Sequence, residues 1–183
     1  MLRPHYSTTL PGYYFGSERC AAPVARSASA RPSALAALLS PADVLLGVDA
    51  STKDRAFEAI ARFIAGRHQL PEADVLARLV EREKIGSTGL GFGVAIPHAR
   101  VKGLNRPIAA FVRTKFPISF GAPDDKPVSD MLVLLVPPEV VDEHLQLLAE
   151  VAEMFADRKL RENLRACSDA AAVHALIAGT VAA

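Results

Sequence analysis

From about Ser40 onward the apolar positions fall into the periods of helices and strands. Pro41 to Val48 reads as a short turn or helix running into a brief strand. Ser51 has the chemistry of a helix N-cap, with Asp54 three residues on in the capping-box place usually held by Glu or Gln. Ala56, Phe57, Ile60, Ala61 and Ile64 then recur at helical spacing, and Gly66 is expected to close that helix. Pro71 opens a second helix with Val75, Leu76, Leu79 and Val80 on one face, ending near Lys84.

The period changes after Lys84. Gly86 to Gly93 reads as a glycine-rich loop, followed by a candidate short strand, Val94 to Ile96. Ile108 to Arg113 reads as a strand, Pro117 to Phe120 as a short edge piece, and Gly121 to Pro127 as a turn cluster. Met131 to Val136 is apolar without a break, the pattern of a strand covered on both faces. Pro137-Pro138 stops it. A long helix is predicted from Val140 to Ala156 with His144, Leu148, Val151 and Phe155 in one stripe, and a last one from near Ser168-Asp169 through Val173, Leu176 and Ile177. Helices on either side of a small mixed sheet give a single α/β domain, expected over residues 36–183.

Residues 1–35 break the pattern. Their Arg3, Arg19, Arg26 and Arg31 face one acid, Glu18, amid Ala, Ser and Pro, with no helical or strand period. The composition resembles a transit peptide but lacks an amphipathic helix, and it has too short an apolar stretch for a secretory signal. A poorly ordered or accessory extension is expected there, as a mobile tail or an upstream translation start.

Composition narrows the field further. The 183 residues are 50% hydrophobic and 22% charged, with a net charge of +1. That excludes an intrinsically disordered chain and argues against nucleic acid as a partner. No apolar run approaches the roughly twenty residues of a membrane span, so no membrane insertion is expected. The two cysteines, Cys20 and Cys167, fit neither a disulfide framework nor zinc spacing. A reduced, cytoplasmic protein without metal or cofactor is the expectation.

The chemistry gathers between Arg82 and Arg100. Four glycines, Gly86, Gly89, Gly91 and Gly93, fall within eight positions, with Ser87 and Thr88 among them and Pro97-His98 just beyond. Successive amides in such a loop form an anion-binding concavity, the hydroxyls add donors, and a neutral imidazole is a competent nucleophile near pH 7. Phosphoryl transfer asks mainly for alignment and stabilisation of the equatorial oxygens, which Arg and backbone N–H groups supply. The loop is neither a Walker A nor a G-x-G-x-x-G turn, since no Gly-Lys-Ser/Thr ends it and Val94 and Ile96 stand where the last glycine would. Each residue also has a plain structural reading: the glycines as a surface turn, His98 as a packed histidine, Arg82 as a solvated helix charge, Arg100 as a solubility residue. His144, near a helix start where the dipole disfavours imidazolium, is placed to hydrogen-bond a phosphoryl oxygen or orient His98, while spacing alone favours a core-edge histidine satisfied by backbone.

The run Gly86-Ser87-Thr88-Gly89-Leu90-Gly91-Phe92-Gly93-Val94-Ala95-Ile96-Pro97-His98 resembles the signature of type-2 enzyme IIA domains of the phosphoenolpyruvate-dependent phosphotransferase system. Pro117-Ile118-Ser119-Phe120, Pro127-Val128, Leu134-Leu135-Val136-Pro137 and His144-Leu145 extend the likeness over about Leu38 to Thr180. The resemblance implies that His98 accepts a phosphoryl group, as tele-phosphohistidine, from an HPr-like carrier protein, with Arg82 and His144 beside it. Ser87, Thr88 and Gly89 match the phosphoryl-binding loop, and Arg100 a position usually basic in the nitrogen branch. With no IIB or IIC part attached, that branch, served by the carrier NPr, is implied, along with targets such as sensor kinases or potassium transporters. A monomer or weak dimer is expected. The alternatives are a fructose/mannitol-type IIA that passes phosphate to a IIB domain, and a binding module without turnover.

Overall fold

The computed structural model describes residues 34–139 and 142–181. Six helices and six strands follow in the order α1 (Ala34–Leu38), β1 (Val44–Val48), α2 (Lys53–His68), α3 (Glu72–Ile85), β2 (Gly89–Gly91), β3 (Val94–Ala95), β4 (His98–Arg100), β5 (Ile108–Ile118), β6 (Val128–Val136), α4 (Asp142–Ala156), α5 (Arg158–Ala166) and α6 (Ala170–Val181). A single 3₁₀ turn, Pro41–Asp43, leads into β1. The extension expected over 1–35 lies outside the described residues except for its last two, Ala34 and Leu35. These two open α1, and the Leu35 side chain is fully buried. Ala34 and Leu35 are thus part of the helical structure among the described residues.

The strands form one mixed sheet in the order β1-β5-β6-β3-β2, with β4 also paired to β6. β1 runs parallel to β5, β5 antiparallel to β6, and both β3 and β4 parallel to β6. Strand β6 is the axis. Met131 to Val136 are all fully buried, because side chains pointing both ways meet apolar layers. Met131, Val133 and Leu135 enter a core with Phe57, Ile60 and Leu79 of α2 and α3. Leu132 and Leu134 enter a second core with Val151, Phe155, Leu164 and Ile177 of α4, α5 and α6. Helices on both faces of a mixed sheet make this the expected α/β fold. No helix among the described residues is long and apolar enough to cross a membrane.

Local boundaries differ from expectation where neighbours decide. Thr52, not Ser51, caps α2, its Oγ1 accepting from Arg55 N at 3.3 Å. Gly66 stays inside α2, which ends instead at Gln69 in the left-handed region (φ 54°). The loop Gly86 to Gly93 contains β2, which pairs antiparallel with β3 as a hairpin. Strand β5 absorbs Pro117 and Ile118, its register against β6 shifting between Arg113 and Ile118 as a proline in a strand requires. The start expected for the long helix at Val140 lies outside the described residues. Helix α5 was not foreseen; Asp157 caps it, Oδ1 accepting from Lys159 N at 2.7 Å. Cys167, buried just beyond α5, is not a free thiol, which departs from the reading of two reduced cysteines.

Candidate active site

Strand β4 exists because β6 offers it an edge. His98, Ala99 and Arg100 pair with Leu134, Leu135 and Val136. Just before it, Pro97 cannot donate but its carbonyl accepts from Leu134 N at 2.9 Å, so the parallel pairing continues through the proline. Alternation along β4 sends Ala99 into the α2–α3 core and leaves His98 half-buried and Arg100 exposed on the other side.

Two fixed partners set the state of the His98 ring. Nδ1 lies 2.8 Å from the carbonyl oxygen of Ile96, which can only accept. Arg82 Nε, which can only donate, points at Nε2 from 2.9 Å. The two contacts are compatible with one neutral tautomer: the proton on Nδ1 and the lone pair on Nε2. Arg82 comes from the last turn of α3, and its Nη1 also donates to the Gly86 carbonyl at 3.0 Å, so the start of the loop holds the guanidinium.

His144 approaches from the first turn of α4. Its ring centroid is 5.4 Å from that of His98, with the planes tilted by 52°. It is buried, and its Nδ1 makes no hydrogen bond among the described residues. Both rings are biased toward the neutral form. Burial is the main cause of the lowered His98 pKa, reinforced by Arg82 and opposed by the Ile96 carbonyl and by Glu83. Burial likewise lowers that of His144, with the charges of His98, Arg100 and Arg82 adding to it. His98, His144, Arg82 and Arg100 line one open cavity of about 530 Å³, whose rim carries the exposed Ile85 and Leu145.

Ser87, Thr88 and Gly89 make their hydrogen bonds within the protein. None of them lines that cavity. Ser87 Oγ donates to the Phe120 carbonyl at 3.0 Å, and Gly89 N donates to Ser87 Oγ at 3.2 Å. The Thr88 amide and hydroxyl both donate to Glu83 Oε2, at 2.9 and 2.7 Å, so these loop donors are engaged within the protein. Gly89 lies so close to the next segment that a Cβ would stand 2.9 Å from the Cβ of Ala122. Glu83 is the residue that sequence reasoning missed. Its other oxygen accepts from Lys53 Nζ at 2.7 Å, so it latches the loop to both α2 and α3. The charge run Glu81-Arg82-Glu83-Lys84 hid it, since a helical charge cluster ordinarily faces solvent.

An imidazole on an edge strand, an arginine donating to its Nε2 and a second histidine beside it make a site chemically suited to holding a phosphoryl group. The chain belongs to the EIIA type-2 family of the phosphoenolpyruvate-dependent sugar phosphotransferase system, whose family model matches residues 37–179. It is 40% identical over 143 residues to a nitrogen regulatory protein of Pseudomonas aeruginosa, covering 76% of this chain and 92% of that one. The crystal structure of the nitrogen regulatory protein IIA-Ntr from Neisseria meningitidis superposes with a TM-score of 0.75 at 41% identity, over 79% of this chain and 99% of that one. A fructose-specific EIIA component of Haloferax volcanii is 35% identical over 115 residues, 62% of this chain and 75% of that one.

Proposed function

We propose that the chain is a phosphocarrier of the nitrogen-regulatory branch, taking its phosphoryl group on His98 Nε2 from the phosphohistidine of an HPr-like protein such as NPr. The observation that carries this reading is the pairing of a cavity-lining imidazole, His98, with Nδ1 against the Ile96 carbonyl and Nε2 against the Arg82 N–H, which suits the tautomer whose nucleophilic nitrogen is Nε2. In the step, a bond forms between Nε2 and phosphorus while the phosphorus–nitrogen bond of the donor breaks, its electron pair returning to the donor imidazole. Positive charge then develops on the His98 ring, and the Ile96 carbonyl stabilises it through the Nδ1 proton. As phosphorus takes the Nε2 lone pair, the Arg82 N–H keeps its proton and turns its hydrogen bond from Nε2 to a phosphoryl oxygen, and Arg100 and His144 take up the rest of the charge.

In this reading Ser87, Thr88 and Gly89 act through shape. They hold the loop whose Gly86 carbonyl orients Arg82, and they meet the phosphoryl group only if it displaces Glu83 from Thr88. The added charge of about −1.5 to −2 switches the surface around the cavity. That switch suits regulation of cytoplasmic targets, for example sensor kinases or potassium transporters. The test is intact-mass analysis after incubation with phosphoenolpyruvate, enzyme I and an HPr-like carrier; failure to gain one phosphoryl group defeats the proposal. The fructose-specific relative favours a second reading, delivery to a IIB domain. Rapid loss of the label to a fructose-type IIB domain, but not to buffer, would select it.

Two further outcomes follow from the site. Replacing His144 by alanine removes one positioned donor and should slow phosphoryl uptake by roughly 10²-fold while leaving it detectable. Full-speed uptake in single-turnover mixing would reduce His144 to a packing residue. The pH dependence has a definite sign. Protonation occupies the Nε2 lone pair, and the His98 pKa lies below its ordinary 6.5. The uptake rate should therefore fall on acidification with its midpoint below pH 6.5. A rate already halved at pH 6.5 would contradict the lowered pKa.

A further inference from the structure

A second concave site lies away from His98. Helix α5 places Arg158, Arg161 and Arg165 at i, i+3 and i+7, one face of the helix. That face closes over the tip of the β2–β3 hairpin. Together with Lys126 from the turn before β6, these residues line a cavity of about 550 Å³. It shares no lining residue with the His98 cavity. Ser129, on its wall, is five positions along β6 from Leu134, the partner of His98, or roughly 17 Å at ~3.3 Å per residue.

The charges here are fixed by the protein. Arg161 is buried, its Nη1 donating to the carbonyls of Phe155 and Ala156 at 2.5 and 2.9 Å, and its guanidinium lies over the Phe92 ring, 4.7 Å from the centroid. Arg165 donates to the Phe92 carbonyl. Gly93 makes room for that approach, since a Cβ there would meet Arg165 Nη2 at 2.9 Å. Among the described residues lining it, four cations face one carboxylate, Glu162, which pairs within α5 with Arg158 at 2.7 Å. The chain as a whole carries only +1. A guanidinium has five N–H donors, so both anchored arginines keep donors beyond those named.

From this arrangement we propose a second anion site, at which a small polyanion bearing phosphate or carboxylate groups binds between α5 and the hairpin tip, held by Lys126, Arg158, Arg161 and Arg165. Preorganised guanidiniums suit such a ligand because charge-assisted, bidentate bonds form without ordering the side chains first. The site stands independently of the phosphocarrier reading. Calorimetric titration of the whole chain with sodium pyrophosphate, with trisodium citrate, and with sodium chloride at matched ionic strength tests it. Saturable one-to-one heat is expected with pyrophosphate or citrate and not with chloride, and the tighter of the two probes identifies the anionic group. The Lys126→Gln/Arg158→Gln double variant changes two exposed residues and should weaken binding about tenfold or more, while His98→Ala leaves it unchanged. Absence of saturable heat with both probes overturns the proposal. So does binding that the double variant leaves intact, or binding lost in His98→Ala, which would place the anion in the other cavity.

Discussion

His98→Ala should abolish phosphoryl uptake altogether: no mass gain, and no acid-labile adduct, after incubation with phosphoenolpyruvate, enzyme I and an HPr-like carrier. The loss is complete because no other group stands where the lone pair of Nε2 does. His144 is 5.4 Å away between ring centroids and is buried. The substitution leaves the fold in place, since β4 is held by backbone pairing to β6 and the His98 ring sits half-exposed at the cavity. Removing the imidazole also frees Arg82, which keeps its bond to the Gly86 carbonyl. His98→Gln offers a sharper version, because a glutamine fills much of the ring's volume and can still accept from Arg82, yet cannot form the adduct. An adduct that persists on either variant would assign the phosphoryl group to a different residue and remove the basis of the proposed function.

Much of this site is legible in the chain because its parts are close in sequence. Arg82, the loop and His98 span seventeen positions, and a glycine cluster ahead of Pro-His has few competing uses. Helices α2, α3 and α6 follow from apolar spacing, and β6 from its unbroken apolar run. What the pattern hides depends on contacts from far along the chain. Strand β4 is three residues with one apolar side chain, and only its pairing to Leu134–Val136 makes it a strand. Strand β2 is Gly-Leu-Gly, a poor strand former that pairing with β3 orders. Helix α5 has two apolar anchors, Leu160 and Leu164, amid charges, and reads as a solvated run until Asp157 is seen to cap it. The hydrogen-bond partners of the loop hydroxyls are hidden as well. They are Glu83, latched in turn by Lys53, and a carbonyl of Phe120, thirty-three positions from Ser87.

The same principle governs the largest expected effect on stability, Arg113→Met. Asp130, on β6, is 1% exposed, and Arg113 on β5 faces it across the sheet. The guanidinium grips both carboxylate oxygens, Nε to Oδ1 at 2.6 Å and Nη2 to Oδ2 at 3.2 Å. It also donates to the carbonyls of Leu164 and Cys167, both at 2.7 Å, and so ties the end of α5 to the sheet. Methionine replaces the aliphatic stem but leaves a buried carboxylate without its counter-charge and takes the guanidinium from the Leu164 and Cys167 carbonyls, of which Leu164 keeps its bond from Cys167 N at 3.0 Å. Breaking one side of such a pair costs about 3–5 kcal/mol, much of it the penalty of the charge left behind. The urea midpoint of Arg113→Met should fall accordingly. The double variant Arg113→Met/Asp130→Leu separates that penalty from the worth of the pair, because replacing both partners by apolar groups removes the stranded charge. Its midpoint should recover well above that of the single variant, short of wild type by what the lost α5 carbonyl bonds contribute, about 0.5–1.5 kcal/mol each. A double variant no more stable than the single one would show that Arg113 acts through the α5 carbonyls alone. A single variant within about 0.5 kcal/mol of wild type would mean that Asp130 finds another partner or reaches water.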